Sequence, residues 1–158
     1  MAFHLEMRWK LLFHGQDKMY TREEMIKFGK DNFEEIFYKL GKTEQGSLLG
    51  NIAEVFVVKQ RIGAKGTDVS GSDMIDEDGL QKEIKSCWSY NSGCARWGNI
   101  TSKFGKCEAF IFVDGVANKE YEIPHDVVFT EIKITPASGG EIRTTKHNID
   151  IFEKYEIK

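Results

Sequence analysis

The chain has 158 residues, 41% of them hydrophobic and 30% charged, with two prolines and a formal net charge of -3, the composition of a single globular domain. Its longest apolar runs, 55–58 and 109–113, fall far short of the roughly 20 residues a membrane span needs, and no signal-peptide pattern opens the sequence. A cytoplasmic protein without a membrane partner is expected, and Cys87, Cys94 and Cys107, odd in number and without C-x-x-C spacing, argue against both a disulfide framework and a structural zinc site.

Thr21, Arg22, Glu23 and Glu24 have the form of a capping box, and Met25, Phe28, Phe33, Ile36, Phe37 and Leu40 recur at helical spacing. One or two helices are predicted over 21–40, with an apolar face that suits either the core or a dimer interface. Residues 41–46 read as a polar loop. Ser47 then caps a helix to about Ile62, and Gly63 stops it in a left-handed conformation. Leu48, Leu49, Ile52, Val55, Phe56 and Val58 should be largely buried there. Glu54 lies among them, where it either joins a solvent stripe or, if buried, wants a partner or a metal ion.

The densest signal follows at 71–85. Asp76, Glu77, Asp78 and Gly79 are turn residues, and Gly79 can take the positive φ that tight hairpins require. On the outgoing strand the two-residue period puts Glu83 and Lys85 on one face and Ile84 on the other. Asp73, at the entrance to the incoming strand, is close enough to join them. Neighbouring carboxylates repel unless a cation neutralises them, and an oxygen-lined site of this kind suits Mg²⁺, with Mn²⁺ able to substitute. A lysine beside it can orient an attacking water and offset charge on a phosphate.

Residues 86–98 read as a loop and 99–104 as a short helix. Cys107 to Val113 form a near-continuous apolar run, expected as a central strand; Asp114 and Gly115 begin a turn, 120–123 alternate as a strand, and Pro124 ends it. Beyond Val127 come a strand or helix fragment, a loop at Gly139 and Gly140, and a terminal segment. Residues 79–119 carry six Lys or Arg against three acids, which marks the phosphate-facing surface. Arg96 and Asn99 have the chemistry to read guanine and adenine edges, Trp97 is either a stacking platform or a packing anchor, and Lys103 is a further DNA contact. Arg143, Lys146 and Asn148 form a second donor-rich candidate surface, although a plain solvated loop is the commoner reading of such a segment. The four histidines have no Cys or His partner at ligand spacing and no nucleophile motif.

The helix bearing Glu54, then Asp73 with Glu83-Ile84-Lys85 across a hairpin, then a helix and an apolar strand, resemble the PD-(D/E)xK nuclease superfamily in order and spacing. Within it the chain is most similar to PvuII-type restriction endonucleases, over about 48–128. The resemblance implies an α+β (α/β-like) fold, a restriction-endonuclease-like core with a central mixed β-sheet flanked by helices, as a single nuclease domain over 1–158. It also implies a Mg²⁺-dependent, sequence-specific double-strand DNA endonuclease, acting as a homodimer and leaving 5′-phosphate ends. Asp73 and Glu83 would be metal ligands, joined by the Ile84 carbonyl and, less directly, Glu54, with Lys85 next to the attacking water. Asp68 is a rival for the aspartate, and Ser72 stands where the superfamily's name has proline. The relatives' histidines after the active-site strand are missing from 92–99, so base-reading residues do not carry over. A homing endonuclease, a junction resolvase, and a non-catalytic DNA-binding protein are the alternatives.

Overall fold

The computed structural model describes residues 42–67, 72–90 and 92–158. The helices predicted over 21–40, and Asp68, lie outside the described residues. Helix α1 runs Lys42–Lys59, so it takes in most of the segment read as a polar loop. Lys42, Thr43, Glu44 and Gln45 have no strong helix breaker among them, and Gly46 costs only about 1 kcal/mol within a helix that packing holds. Leu48, Ile52, Ala53, Phe56 and Val57 are buried, while Leu49, Val55 and Val58 are partly so. The chain leaves the helix through a turn in which Gly63 takes φ +74°, the left-handed stop the sequence requires.

Five strands form a mixed sheet in the order β1 (Lys65–Gly66), β2 (Met74–Ile75), β3 (Gln81–Cys87), β5 (Ala109–Asp114) and β6 (Lys119–Pro124). β3 and β5 are parallel, and the other pairings are antiparallel. The fold is therefore α+β, with a mixed sheet flanked by helices. β5 is buried at every position, as its apolar run demands of a central strand. The hairpin turn is closed by Asp76, whose Oδ1 accepts the N–H groups of Asp78 and Leu80 at 2.9 Å each, and Gly79 has φ +81°.

The two sheet faces differ in what covers them. Ile84, Ile111 and Val113 pack with Met74 against Val57 of α1. On the other face Phe110, Phe112, Tyr121 and Ile123 form the larger core with Trp97, Val128 of α2 (His125–Glu131) and Phe152 of α3 (Ile149–Lys154). A second, two-stranded ribbon pairs β4 (Arg96–Trp97) with β7 (Ile142–Arg143), where the sequence reading had loops. Trp97 fixes the ribbon: it is 2% exposed, its rings lie 5.0 Å from Phe112 and 5.5 Å from Phe152, and Nε1 donates to the Val113 carbonyl at 3.2 Å. It is a packing anchor and has no face left for a base. The helix predicted over 99–104 is one 3-10 turn, η1 (Thr101–Lys103), shortened because Asn99 sits at φ +55°.

Candidate active site

Glu83 and Lys85 register with Phe110 and Phe112 of β5, so their side chains leave the strand on the side opposite to that of Ile84. Both are held by a well-packed central strand, which gives the carboxylate and the ammonium a fixed origin. Asp73 stands where pairing of β2 with β3 runs out. Its N–H donates to the Lys82 carbonyl at 2.9 Å, and its Oδ2 accepts the Ile84 N–H at 2.9 Å. The side chain thus replaces the missing backbone partner. Within a strand, one residue's N–H and C=O point to the same edge, so the Ile84 carbonyl lies on the Asp73 side. Ser72, beside it, is buried and donates to the Met74 carbonyl at 3.1 Å, which secures the entry to the strand without a proline.

The Glu83 side chain is 3% exposed. Its Oε1 takes Lys85 Nζ at 3.1 Å and Lys103 Nζ at 2.9 Å, whereas Oε2 is buried with no hydrogen-bond partner among the described residues. A buried carboxylate oxygen left bare is costly, and a cation would satisfy it. Glu54 of α1 lies within electrostatic reach of the cluster. Burial, then the charges of Asp73 and Glu83, push its carboxyl up to about 7, and Lys85 and Lys103 only partly offset this. Burial also raises Asp73, with Glu83 acting in the same direction, despite the Ile84 hydrogen bond and the two lysines. For Lys103 burial works downward, but its hydrogen bond to Glu83 and the charges of Glu83 and Asp73 outweigh it, and the net shift is upward. Beneath them the Cys107 thiol, raised to about 11 by burial and then by the charge of Glu83, is an inert part of the floor.

The residue types fit a divalent cation. Asp73 and the bare oxygen of Glu83 are two hard donors, with the Ile84 carbonyl and Glu54 nearby. No set of three or more His, Cys, Asp or Glu side chains among the described residues forms a ready cage. One or two carboxylates are what a Mg²⁺ ion that keeps several of its waters would ask of the protein.

The residues proposed from sequence to meet DNA divide three ways. Arg96 and Arg143 are direct cross-strand neighbours in the ribbon, which joins two surfaces that the sequence kept apart. Arg143 Nε is paired with Glu141, and Arg96 Nε is buried without a partner among the described residues. Lys146 and Asn99 are exposed, and the Asn99 N–H is tied to the Ser138 carbonyl at 2.8 Å. Asn148 is buried instead: its Oδ1 accepts the Thr145 N–H at 2.8 Å and its Nδ2 donates to the Arg143 carbonyl at 2.8 Å, so its amide organises its own loop. Lys103 turns to Glu83. Only the local excess of basic residues signalled it in the sequence.

These features define a mixed α+β protein with a carboxylate and lysine cluster at an interrupted strand pairing. No family model matches the chain, and no curated protein matches it. Among solved structures it is similar to a bacterial homing endonuclease, I-Ssp6803I, with 19% identity and a TM-score of 0.48, over 68% of this chain and 78% of that one. The side chains, rather than this likeness, bear on function. No helix among the described residues is long and apolar enough to cross a membrane.

Proposed function

We propose that the chain is a Mg²⁺-dependent endonuclease that hydrolyses phosphodiester bonds of double-stranded DNA, cutting at specific sequences and leaving 5′-phosphate ends. The observation that supports this most is the Glu83 carboxylate, one oxygen bare and the other shared by two lysines, beside Asp73. Mg²⁺, when bound, would supply a Lewis acid for the phosphate and a more acidic attacking water. Asp73 and Glu83 would hold it, with the Ile84 carbonyl and Glu54 as further donors. Lys85 would orient the nucleophile with its ammonium and offset charge building on the phosphate, and Arg96, Arg143 and Lys146 would bind DNA. That division of labour is the one the resemblance of these residues to the PD-(D/E)xK superfamily implies.

Incubating the purified protein with plasmid DNA and Mg²⁺ should give discrete fragments, whose ends accept direct ligation if they carry 5′-phosphates. Lys85→Ala should lower the cleavage rate by at least about 100-fold, as loss of a positioned donor that stabilises developing charge does. Undiminished cleavage by that variant would remove Lys85 from the site, and preference for four-way junctions over linear duplex would replace the restriction-like role with a resolving one.

A further inference from the structure

Glu83 has two lysines on one oxygen, and they reach it from different parts of the fold. Lys85 is on the same strand, two residues away. Lys103 arrives from η1, and its Nζ is the nearer of the two, at 2.9 Å against 3.1 Å. The backbone behind Lys103 is fixed: Ile100 is fully buried, its N–H donates to the Gly140 carbonyl at 3.1 Å, and the Lys103 N–H donates to the Ile100 carbonyl at 3.0 Å. Its side chain is less confined, at 23% exposed against 3% for Glu83. A long, flexible ammonium on a rigid turn can leave a carboxylate without any movement of the backbone.

Charge makes that exchange consequential. Glu54, Asp73 and Glu83 face Lys85 and Lys103, so three potential negative charges meet two positive ones. A dication held by Asp73 and Glu83 brings two more positive charges, and the cluster then has an excess of cations around Glu83. Of the two lysines, Lys103 is the more exposed, at 23% against 17% for Lys85, and comes from an element separate from the strand that holds Glu83.

We propose that Lys103 is a second lysine of the cleavage site, which neutralises Glu83 until a divalent cation takes its place and then contacts the phosphate at the reacting centre. This rests on the nuclease reading and assigns to Lys103 a role beyond general DNA contact. Occupying Glu83, Lys103 opposes cation binding; released, it supplies positive charge where the phosphate gains negative charge.

The test compares the full-length chain with Lys103→Met and Lys103→Arg. Calorimetric titration with Mn²⁺ in the absence of DNA should show tighter binding to Lys103→Met, by at least about fivefold, since removing a competing charge is worth on the order of 1 kcal/mol. At saturating Mn²⁺, single-turnover cleavage by Lys103→Met should fall at least about tenfold while DNA affinity measured in Ca²⁺ stays within about threefold, and Lys103→Arg should recover part of the rate. Unchanged or weaker Mn²⁺ binding by Lys103→Met, or an unchanged cleavage rate, overturns the proposal. So does a rate loss matched by an equal loss of DNA affinity, which would make Lys103 a phosphate clamp alone. If wild type cuts no DNA while Lys103→Met still binds Mn²⁺ more tightly, the nuclease reading fails and the competition at Glu83 stands.

Discussion

Glu54 sits half-buried on α1, where the charges of Asp73 and Glu83 act against its ionised form and those of Lys85 and Lys103 favour it. Burial and those carboxylates raise its pKa from 4.5 to about 7. The folded state therefore holds the proton more tightly than the unfolded chain. The resulting stabilisation is fully present below 4.5 and is lost as the pH rises through about 7. Glu54→Gln removes this loss. In the presence of chelator, the variant should gain stability over wild type progressively from about pH 5 to about pH 8, read as a rising difference in urea midpoint. A constant difference across that range would mean that Glu54 is solvated. The sequence had left Glu54 between a solvent stripe and a buried partner, and the choice depends on the sheet placing Asp73 and Glu83 near it, which helical periodicity does not encode.

At the scale of elements, the hairpin was legible because its information is local: Asp76 and Gly79 make the turn, and the strand period fixes the phase of Glu83, Ile84 and Lys85. The β4 and β7 ribbon was not. Each strand is two residues long, too short for any period to show, and Arg96 finds Arg143 only through the packing of Trp97 and Ile142 beneath them. Directly opposed like charges are destabilising in a sheet unless an anion lies between or above them. Replacing Arg96 with alanine should therefore cost the free protein little, about 0.5 kcal/mol or less, while weakening DNA binding and reducing the slope of log affinity against log salt by about one, whereas Arg143→Ala also leaves the buried Glu141 without its ion-pair partner and should cost more. Fluorescence anisotropy over a salt series reads both. A second element-scale consequence follows from Gly140, at φ +92°, where a Cβ would come 2.1 Å from Thr101 Oγ1 and 2.9 Å from Thr101 N. Gly140→Ala should destabilise the fold by about 1–3 kcal/mol, measured by denaturant unfolding, and displace η1 together with Lys103. The sequence marked Gly139 and Gly140 only as a loop, since what they make room for lies almost forty residues earlier in the chain.

For the whole molecule, the decisive count is one carboxylate cluster among the described residues of a chain. A net charge of -3 leaves DNA association to the local arrangement of arginines and lysines rather than to the protein's overall field. If the proposed nuclease function holds, one cluster would serve one strand, and concerted cutting of both strands would need two copies related by a twofold axis that matches the symmetry of a duplex. On supercoiled plasmid, cleavage at low protein concentration should accumulate nicked circles. Raising the concentration through the dimer dissociation constant, measured independently by sedimentation, should convert the product to linear DNA without a nicked intermediate. Mixing wild type with a catalytically dead Lys85→Ala chain separates the cases: a cooperating dimer yields mixed species that nick only, so linear product falls with the square of the wild-type fraction. A linear fall with that fraction would mean that each chain cuts independently and that strand-by-strand nicking is the native reaction.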